Sequence, residues 1–142
     1  MNILITRPLI DSEDLMEKLF AYGHKIIHLP TLKISTVKVE LVNPDNFDAF
    51  IFTSANAVRN LKLTRANKNL HCFCVGLITE KIARQSGFTN TSSAGGTVNA
   101  LKNLIMISDK VNKNSNLAYF CGDNISYDLD LELKNEGLKI KK

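Results

Sequence analysis

Hydroxyl and amide side chains follow a short apolar run near the middle of the chain, in the motif Phe52-Thr53-Ser54-Ala55-Asn56. Such groups donate hydrogen bonds to carboxylates or phosphates, and Ser and Thr are preferred residues at the start of a helix. A short apolar run is typical of a buried strand. The motif therefore predicts a strand-to-helix turn of the kind at which open α/β sheets bind ligands. A capped turn that binds nothing has the same pattern.

Three other predicted strand ends carry small polar residues. They are Thr6-Arg7-Pro8, Val75-Gly76 with Thr79, and Cys121-Gly122-Asp123-Asn124. Parallel strands all point one way, so these ends are expected along one edge of the sheet system. The sequence thus predicts a rim of hydroxyls and main-chain amides with few fixed charges, which suits a ligand with several carboxylates.

Several other chemistries lack their sequence patterns. The chain has neither the phosphate loop of nucleotide hydrolases nor Gly-x-Gly-x-x-Gly, and its three histidines do not form HExxH. Ser54 lacks the flanking glycines of a nucleophile elbow. Cys72 and Cys74 have no second ligand pair, so no metal site is predicted. With Cys121 they are interpreted as buried, reduced thiols, which indicates the cytoplasm.

Composition indicates one ordinary domain, or one domain and part of another. The chain has 142 residues, of which 44% are hydrophobic and 23% charged, and its formal net charge is +4. A packed core is therefore expected. Nucleic acid is not predicted as a partner, because no dense stripe of Lys and Arg with aromatics occurs. A signal peptide and an apolar run of about 18 residues are also missing from the sequence, so no membrane contact is predicted.

Strand and helix patterns alternate along the chain, which predicts an open, mostly parallel α/β sheet with flanking helices. The predicted strands cover residues 3–5, 24–29, 49–52, 70–75, 117–121 and a last one from 138, and the predicted helices cover about 12–22, 55–63, 78–85, 97–106 and a segment ending at 137. Residues 91–96 are predicted as a small-residue loop and 108–116 as a polar loop. Residues 1–34 are expected to form a βαβ part of one domain, 35–48 a linker or edge segment, and 37–142 a second, nearly complete domain.

Four motifs then occur in a fixed order. They are Ile3-Leu4-Ile5-Thr6-Arg7-Pro8 with Leu19-Phe20-Ala21-Tyr22-Gly23 and Leu29-Pro30; Phe52-Thr53-Ser54-Ala55-Asn56-Ala57-Val58; Val75-Gly76-Leu77-Ile78-Thr79 with Gly87; and Gly122-Asp123-Asn124 with Leu129, Leu133 and Gly137. In this order they resemble the uroporphyrinogen-III synthases over essentially the whole chain. The resemblance implies a HemD-like fold with a flavodoxin-like domain, and here a second, incomplete domain represented by the N-terminal βαβ unit.

The resemblance also implies an activity and a site. Members of this family cyclise hydroxymethylbilane to uroporphyrinogen III, losing water and inverting ring D through a spiro intermediate, with neither a metal nor an organic cofactor. The substrate lies between two similar α/β domains. By carry-over, Ser54 and Thr79 are candidate catalytic residues. The implied substrate-binding residues are Thr6, Arg7, Pro8, Thr53, Ser54, Ala55, Asn56, Gly76, Thr79, Gly122, Asp123, Asn124 and Ile125.

Two departures from the family pattern keep alternatives open. The family continues after the position of Lys142 with a cleft Tyr and the rest of its first domain, and Ser126 stands where many relatives have Arg. One hypothesis is therefore a synthase that is a fragment or one part of a split gene product, completed by the missing half-domain or a second copy. Another is a degenerate remnant that only binds a tetrapyrrole or a protein. A third is a generic periplasmic-type or nucleotide-binding α/β domain.

Overall fold

A computed structural model describes residues 1–37, 43–61, 66–123 and 125–142. The chain divides into two compact units, Met1–Lys38 and Val39–Lys142. The following paragraphs take each unit by itself.

The smaller unit is a βαβ unit. Strand β1 (Asn2–Ile5) and strand β2 (Lys25–His28) pair in parallel, and helix α1 (Glu13–Ala21) connects them. Gly23, at φ 79°, ends the helix in the left-handed conformation that glycine adopts without a steric cost. The βαβ unit predicted from the sequence is confirmed.

Burial is sparse in this unit. No residue of α1 is buried. Tyr22, the last residue of the predicted helix, lies past the end of α1 and is exposed. Leu4 and Ile27 are register partners and share a face of the strand pair. They remain 56% and 58% exposed.

The larger unit contains a five-stranded parallel sheet. In chain order its strands are β3 (Ala49–Phe52), β4 (His71–Cys74), β5 (Thr91–Ser93), β6 (Asn116–Phe120) and β7 (Lys139–Lys141). In space the order is β5-β4-β3-β6-β7, and every neighbouring pair is parallel. The predicted open parallel sheet is confirmed.

Four α-helices in the described part of the larger unit cover both faces of its sheet. They are α2 (Ala55–Asn60), α3 (Leu77–Gln85), α4 (Val98–Ile107) and α5 (Leu129–Asn135). Helices α2 and α3 contribute to the core cluster on one face, and α4 and α5 to the cluster on the other. Among the described helices of the whole chain, none is both long and apolar enough to cross a bilayer.

The central strand β3 explains the continuous apolar run in the sequence. All four of its residues are 0% exposed. Phe50 and Phe52 point into the cluster with α2 and α3, whereas Ala49 and Ile51 point into the cluster with α4 and α5. A parallel strand covered on both faces has no polar side, so it shows no alternation.

The strand order refines the predicted subtype. Numbered within the larger unit, the order is 3-2-1-4-5, whereas flavodoxin has 2-1-3-4-5. The arrangement of helices on both faces of a parallel sheet agrees with the flavodoxin-like interpretation, but the strand order differs from that of flavodoxin. The chain moves outward from β3 to β5 and then returns to the other side of β3, so the direction of winding reverses between β3 and β6.

Most boundaries differ from the predictions by one or two residues, and three of the differences lie in loops and helix ends of the larger unit. Residues 91–93 of the expected loop form β5, an edge strand that pairs with β4 and whose three residues are half-buried. Asn116, placed in a loop, begins β6, where its N–H donates to Asp48 Oδ2 at 2.7 Å. Helix α2 ends at Asn60, short of residue 63, and residues 62–65 lie outside the described part of the chain.

Candidate functional site

The reversal between β3 and β6 makes a topological switch point at the carboxyl edge of the sheet. The turn after β3 leads to α2 on one face, and the segment after β6 leads to α5 on the other. Because the two connections separate to opposite faces, the strand ends between them stay open, and such switch points are where doubly wound sheets bind ligands. The turns after β4 and β5 lie along the same edge.

The turn after β3 is held by a side-chain cap. Ser54 has an extended backbone, and its Oγ accepts a hydrogen bond from the Asn56 N–H at 3.1 Å. The cap occupies the Ser54 oxygen as an acceptor and leaves its proton available for another partner. Asn56 Oδ1 accepts from Arg59 Nη1 at 2.8 Å, which joins the first and last turns of α2. Ala55 is half-buried as the first residue of α2.

Thr53 is joined to the neighbouring strand. Its Oγ1 lies 3.2 Å from the hydroxyl of Tyr119, which is only 4% exposed. Burial raises the pKa of the Tyr119 hydroxyl, the hydrogen bond with Thr53 acts in the opposite direction, and nearby Cys121 and Asp130 raise it further. Tyr119 is therefore neutral at ordinary pH.

The segment after β6 is more open. Cys121 and Ile125 are half-buried and Gly122, Asp123 and Ser126 are exposed, whereas Asn124 lies outside the described residues. Burial raises the pKa of the Cys121 thiol, and the positive charge of Lys142 partly opposes that shift. The thiol is therefore a poor nucleophile at neutral pH.

The turns after β4 and β5 approach each other through their main chains. The Gly96 N–H donates to the Val75 carbonyl at 2.9 Å. A Cβ added to Gly76 would lie 3.3 Å from Gly96 Cα, a tight contact with backbone. Gly96 has φ 94°, which an L side chain rarely adopts. Main-chain groups therefore form the surface at this point of the edge.

The first turn of α3 carries apolar side chains at this edge. Leu77 and Ile78 are 76% and 70% exposed, whereas Thr79 is 5% exposed. Thr79 and Ala83 are one helical turn apart, and both are buried. The edge thus presents apolar surface beside Gly76, and the Thr79 hydroxyl lies beneath that surface.

The residues predicted from the smaller unit lie at the end of β1. Thr6 and Arg7 are exposed and Pro8 is half-buried. The Thr6 carbonyl accepts from the Thr31 N–H at 3.0 Å, and the Arg7 carbonyl lies 2.9 Å from His28 Nε2. These bonds hold the main chain of the turn and leave the Arg7 guanidinium in solvent.

The larger unit therefore brings part of the predicted set together. Thr53, Ser54, Gly76 and Gly122 follow parallel strands at one edge of one sheet. Hydroxyl donors and main-chain amides of this kind suit carboxylates, and exposed Leu and Ile suit the faces of flat rings. Among the residues described, no three His, Cys, Asp or Glu side chains lie close enough to hold a metal ion.

Sequence reasoning missed Tyr119, Leu77 and Ile78. Tyr119 looks like an apolar strand residue, but a buried Tyr needs a partner for its hydroxyl. The hydroxyl partner of Tyr119 is Thr53, and the two residues meet only because β6 lies beside β3. The sequence did not predict this strand order. Leu77 and Ile78 look like ordinary helix residues, because the apolar pattern does not show which side faces the edge.

Fold and edge together define a doubly wound α/β domain with its topological switch point at the carboxyl ends of β3 and β6. The model of the family described as "Uroporphyrinogen-III synthase HemD" matches residues 13–142. The chain belongs to this family. A comparison with curated protein sequences gives no match.

Solved structures of uroporphyrinogen-III synthases have similar folds. The native enzyme of Thermus thermophilus is 16% identical with a TM-score of 0.55. The match covers 99% of this chain and 59% of that enzyme. A mutant form of the same enzyme gives 15% identity and a TM-score of 0.63 over the same shares. The Helicobacter pylori enzyme is 21% identical with a TM-score of 0.59, and the match covers 83% of this chain and 52% of that enzyme. The chain thus spans between half and three fifths of these enzymes.

Proposed function

We propose that this chain takes part in uroporphyrinogen-III synthesis, as one wall of the cleft that binds hydroxymethylbilane. The match of the family over residues 13–142 carries the proposal. The reaction cyclises the linear tetrapyrrole with loss of water and inverts ring D through a spiro intermediate. The protein's task is to bring the two ends of the substrate together, which is catalysis by positioning.

The carboxyl edge of the larger unit supports this role. The proposed substrate carries acetate and propionate arms on flat pyrrole rings. Ser54 keeps a proton to donate to an arm or to the departing hydroxyl, because only its oxygen is used by the cap. Leu77 and Ile78 offer an apolar surface to a ring. We assign substrate contacts to Thr53, Ser54, Ala55, Asn56 and Gly76, to residues 122–125, and to Thr6, Arg7 and Pro8 of the smaller unit.

Thr79 keeps its proposed role only with a movement of α3. Its side chain is buried in the present conformation, so a proton transfer from Thr79 requires the first turn of the helix to open. Ser54 is the better placed of the two candidate acids.

Product analysis tests the activity. The chain is incubated with freshly made hydroxymethylbilane, and the isomers are separated. Production of isomer III supports a synthase, whereas isomer I alone, the product of spontaneous closure, shows that these 142 residues do not suffice. Ser54→Ala is expected to lower the yield of isomer III about two- to tenfold, as for the loss of one hydrogen bond. Thr89→Val, which removes an exposed hydroxyl before β5, is the matched control.

A second candidate is a tetrapyrrole- or protein-binding remnant without activity. The exposed Leu4–Ile27 face of the smaller unit favours it, because apolar strand faces are normally covered. Its occupant would be the rest of the first domain that the family pattern implies, or a second copy of the chain. A monomer in sedimentation that binds no hydrophobic dye would count against this candidate.

The cysteines bear on the compartment. Cys72, Cys74 and Cys121 are all free. We infer a reducing, cytoplasmic setting, in agreement with the biosynthetic role proposed above. A disulfide found in protein purified from cells under acid quench would contradict this inference.

A further inference from the structure

Tyr119 is a buried residue whose hydroxyl is not accounted for by packing. Its ring belongs to the core cluster of Ile51 and Leu129 on the α4–α5 face. Phe would fill that ring position equally well, and burying a hydroxyl is unfavourable unless it is hydrogen-bonded. The oxygen partner of the hydroxyl is Thr53 Oγ1, at 3.2 Å, and the thiol of Cys121 is a weaker neighbour. The presence of Tyr at this position is therefore connected with Thr53.

The sheet register brings the two side chains together. Tyr119 pairs with Ile51 across β6 and β3. Thr53 follows Ile51 by two residues and so lies on the same face. The long Tyr side chain extends from its own position in β6 to the end of β3, where Thr53 is half-buried at the switch point.

Either hydroxyl can be the donor in the hydrogen bond between Thr53 and Tyr119, and the two directions leave different protons for a ligand. Burial raises the pKa of Tyr119, so this hydroxyl keeps its proton at neutral pH. A Thr hydroxyl has one proton and two lone pairs. When Tyr119 donates to Thr53, the Thr53 proton has to point to a different acceptor. Thr53 is half-buried at the end of β3, so a bound ligand can supply that acceptor.

We propose that Tyr119 is a positioning residue, which fixes the Thr53 hydroxyl as a donor to a carboxylate arm of the bound tetrapyrrole. This inference rests on the proposed function, because the ligand is the one assigned there. It differs from that function in naming a residue beneath the cleft surface that acts through another residue. In the direction that we propose, Tyr119 donates to Thr53. That bond fixes the Thr53 hydroxyl before the ligand binds and leaves its proton for the ligand.

A double-mutant cycle on ligand binding tests the inference. The probe is uroporphyrin III, the oxidised fluorescent form of the product, titrated with the full 142-residue chain. Tyr119→Phe and Thr53→Val are each expected to weaken binding about three- to tenfold, the value of one hydrogen bond. The double variant is expected to bind no more weakly than Thr53→Val alone. Thr53→Ser keeps the hydroxyl and is expected to restore binding.

Tyr127→Phe is the matched control. Tyr127 also packs against the α4–α5 cluster, and its hydroxyl bonds Glu132 instead of Thr53. We expect the Tyr127 variant to bind the probe with unchanged affinity. Urea unfolding of every variant separates a loss of binding from a loss of folded protein.

The outcomes distinguish the inference from the proposed function. No binding by the unaltered chain overturns both. Binding by the unaltered chain with equal affinity for Tyr119→Phe overturns the inference alone. The inference is also overturned if Tyr119→Phe weakens probe binding by the same factor in the unaltered chain and in the Thr53→Val variant. Such a result would show a structural effect that does not pass through Thr53.

Discussion

The two units share the βαβ pattern but differ in how completely they bury it. In the larger unit, β3 is covered on both faces and all of its residues are inaccessible to solvent. In the smaller unit, the same strand–helix–strand order leaves α1 without a buried residue and Leu4 and Ile27 open to solvent. The comparison teaches that the motif alone does not make a core. Additional layers of structure are needed before apolar residues contribute their full burial energy.

The largest expected difference comes from equivalent truncations in the two units. Phe50→Ala is expected to lower the free energy of unfolding by about 3–5 kcal/mol, because the ring is fully buried and packs edge-on against Phe120 at a centroid distance of 5.3 Å. Leu4→Ala is expected to cost less than about 1 kcal/mol, since its side chain is already solvated. Urea denaturation measures both. Comparable losses would show that the smaller unit has a core of its own.

Thiol labelling compares the protection of the two units. Burial raises the pKa of Cys74 to about 12 and raises that of Cys72 further. Both should react with iodoacetamide at least about 100-fold more slowly than Cys121 in the native protein. Ile26→Cys places a probe on β2, where we expect faster labelling than at Cys72. Peptide mass spectrometry resolves the sites.

Urea provides the control, because all four thiols should react alike in the unfolded chain. A protected thiol at residue 26 would contradict the comparison, since it would indicate that β2 is as well covered as β4.

An acid-dependent difference is expected from Glu80. Hydrogen bonds from Ser93, Thr91 and Arg84 lower the pKa of this carboxyl below its ordinary 4.5. Its stabilisation is therefore complete above pH 4.5 and is lost as the pH falls through the lowered value. Glu80→Gln should lower the free energy of unfolding by about 1–2 kcal/mol at pH 7, and it should weaken the dependence of that free energy on acid pH. Glu17→Gln, at an exposed acid of α1, is the control. An unchanged acid limb in the Glu80 variant would disprove the role.

The smallest predicted effect compares two helix starts. Thr97 Oγ1 accepts from the Ala100 N–H at 3.1 Å. Thr97→Ala should therefore lower the free energy of unfolding by about 1 kcal/mol, and Thr97→Asp, which can also cap the helix, should retain the stability of the unaltered chain. Ser12 holds the same position before α1, but its hydroxyl donates to the Pro8 carbonyl at 2.9 Å. Ser12→Asp should therefore fail to replace Ser12. Thermal unfolding of these variants and of Ser12→Ala tests the difference. If Asp preserved stability at both positions, Ser12 and Thr97 would not differ as helix caps.

The sequence was sufficient where local chemistry determines structure. The apolar run at β3 and the cap at Ser54 both lie where they were predicted. The glycines that end α1 and α5, Gly23 and Gly137, have φ of 79° and 89°. These features depend on neighbours within a few residues, so the pattern of residue types is enough to predict them.

Features that depend on distant parts of the chain could not be predicted. Thr53 and Tyr119 are 66 residues apart and meet only because β6 lies beside β3. Strand β5 consists of Thr91-Ser92-Ser93 and becomes a strand through pairing with β4, with the Thr91 hydroxyl donating to Glu80 at 2.7 Å. The burial of Thr79 likewise depends on which side of α3 faces the sheet.

The close approach of Gly76 and Gly96 has a consequence for how the family diverges. At this point, after β4 and β5, the carboxyl edge of the sheet is polypeptide backbone, which every sequence possesses, provided that both positions stay free of a side chain. A surface made in this way can be inherited while the surrounding residues are replaced. Gly76 and Gly96 together can thus keep the shape of this edge while the exposed side chains around them change.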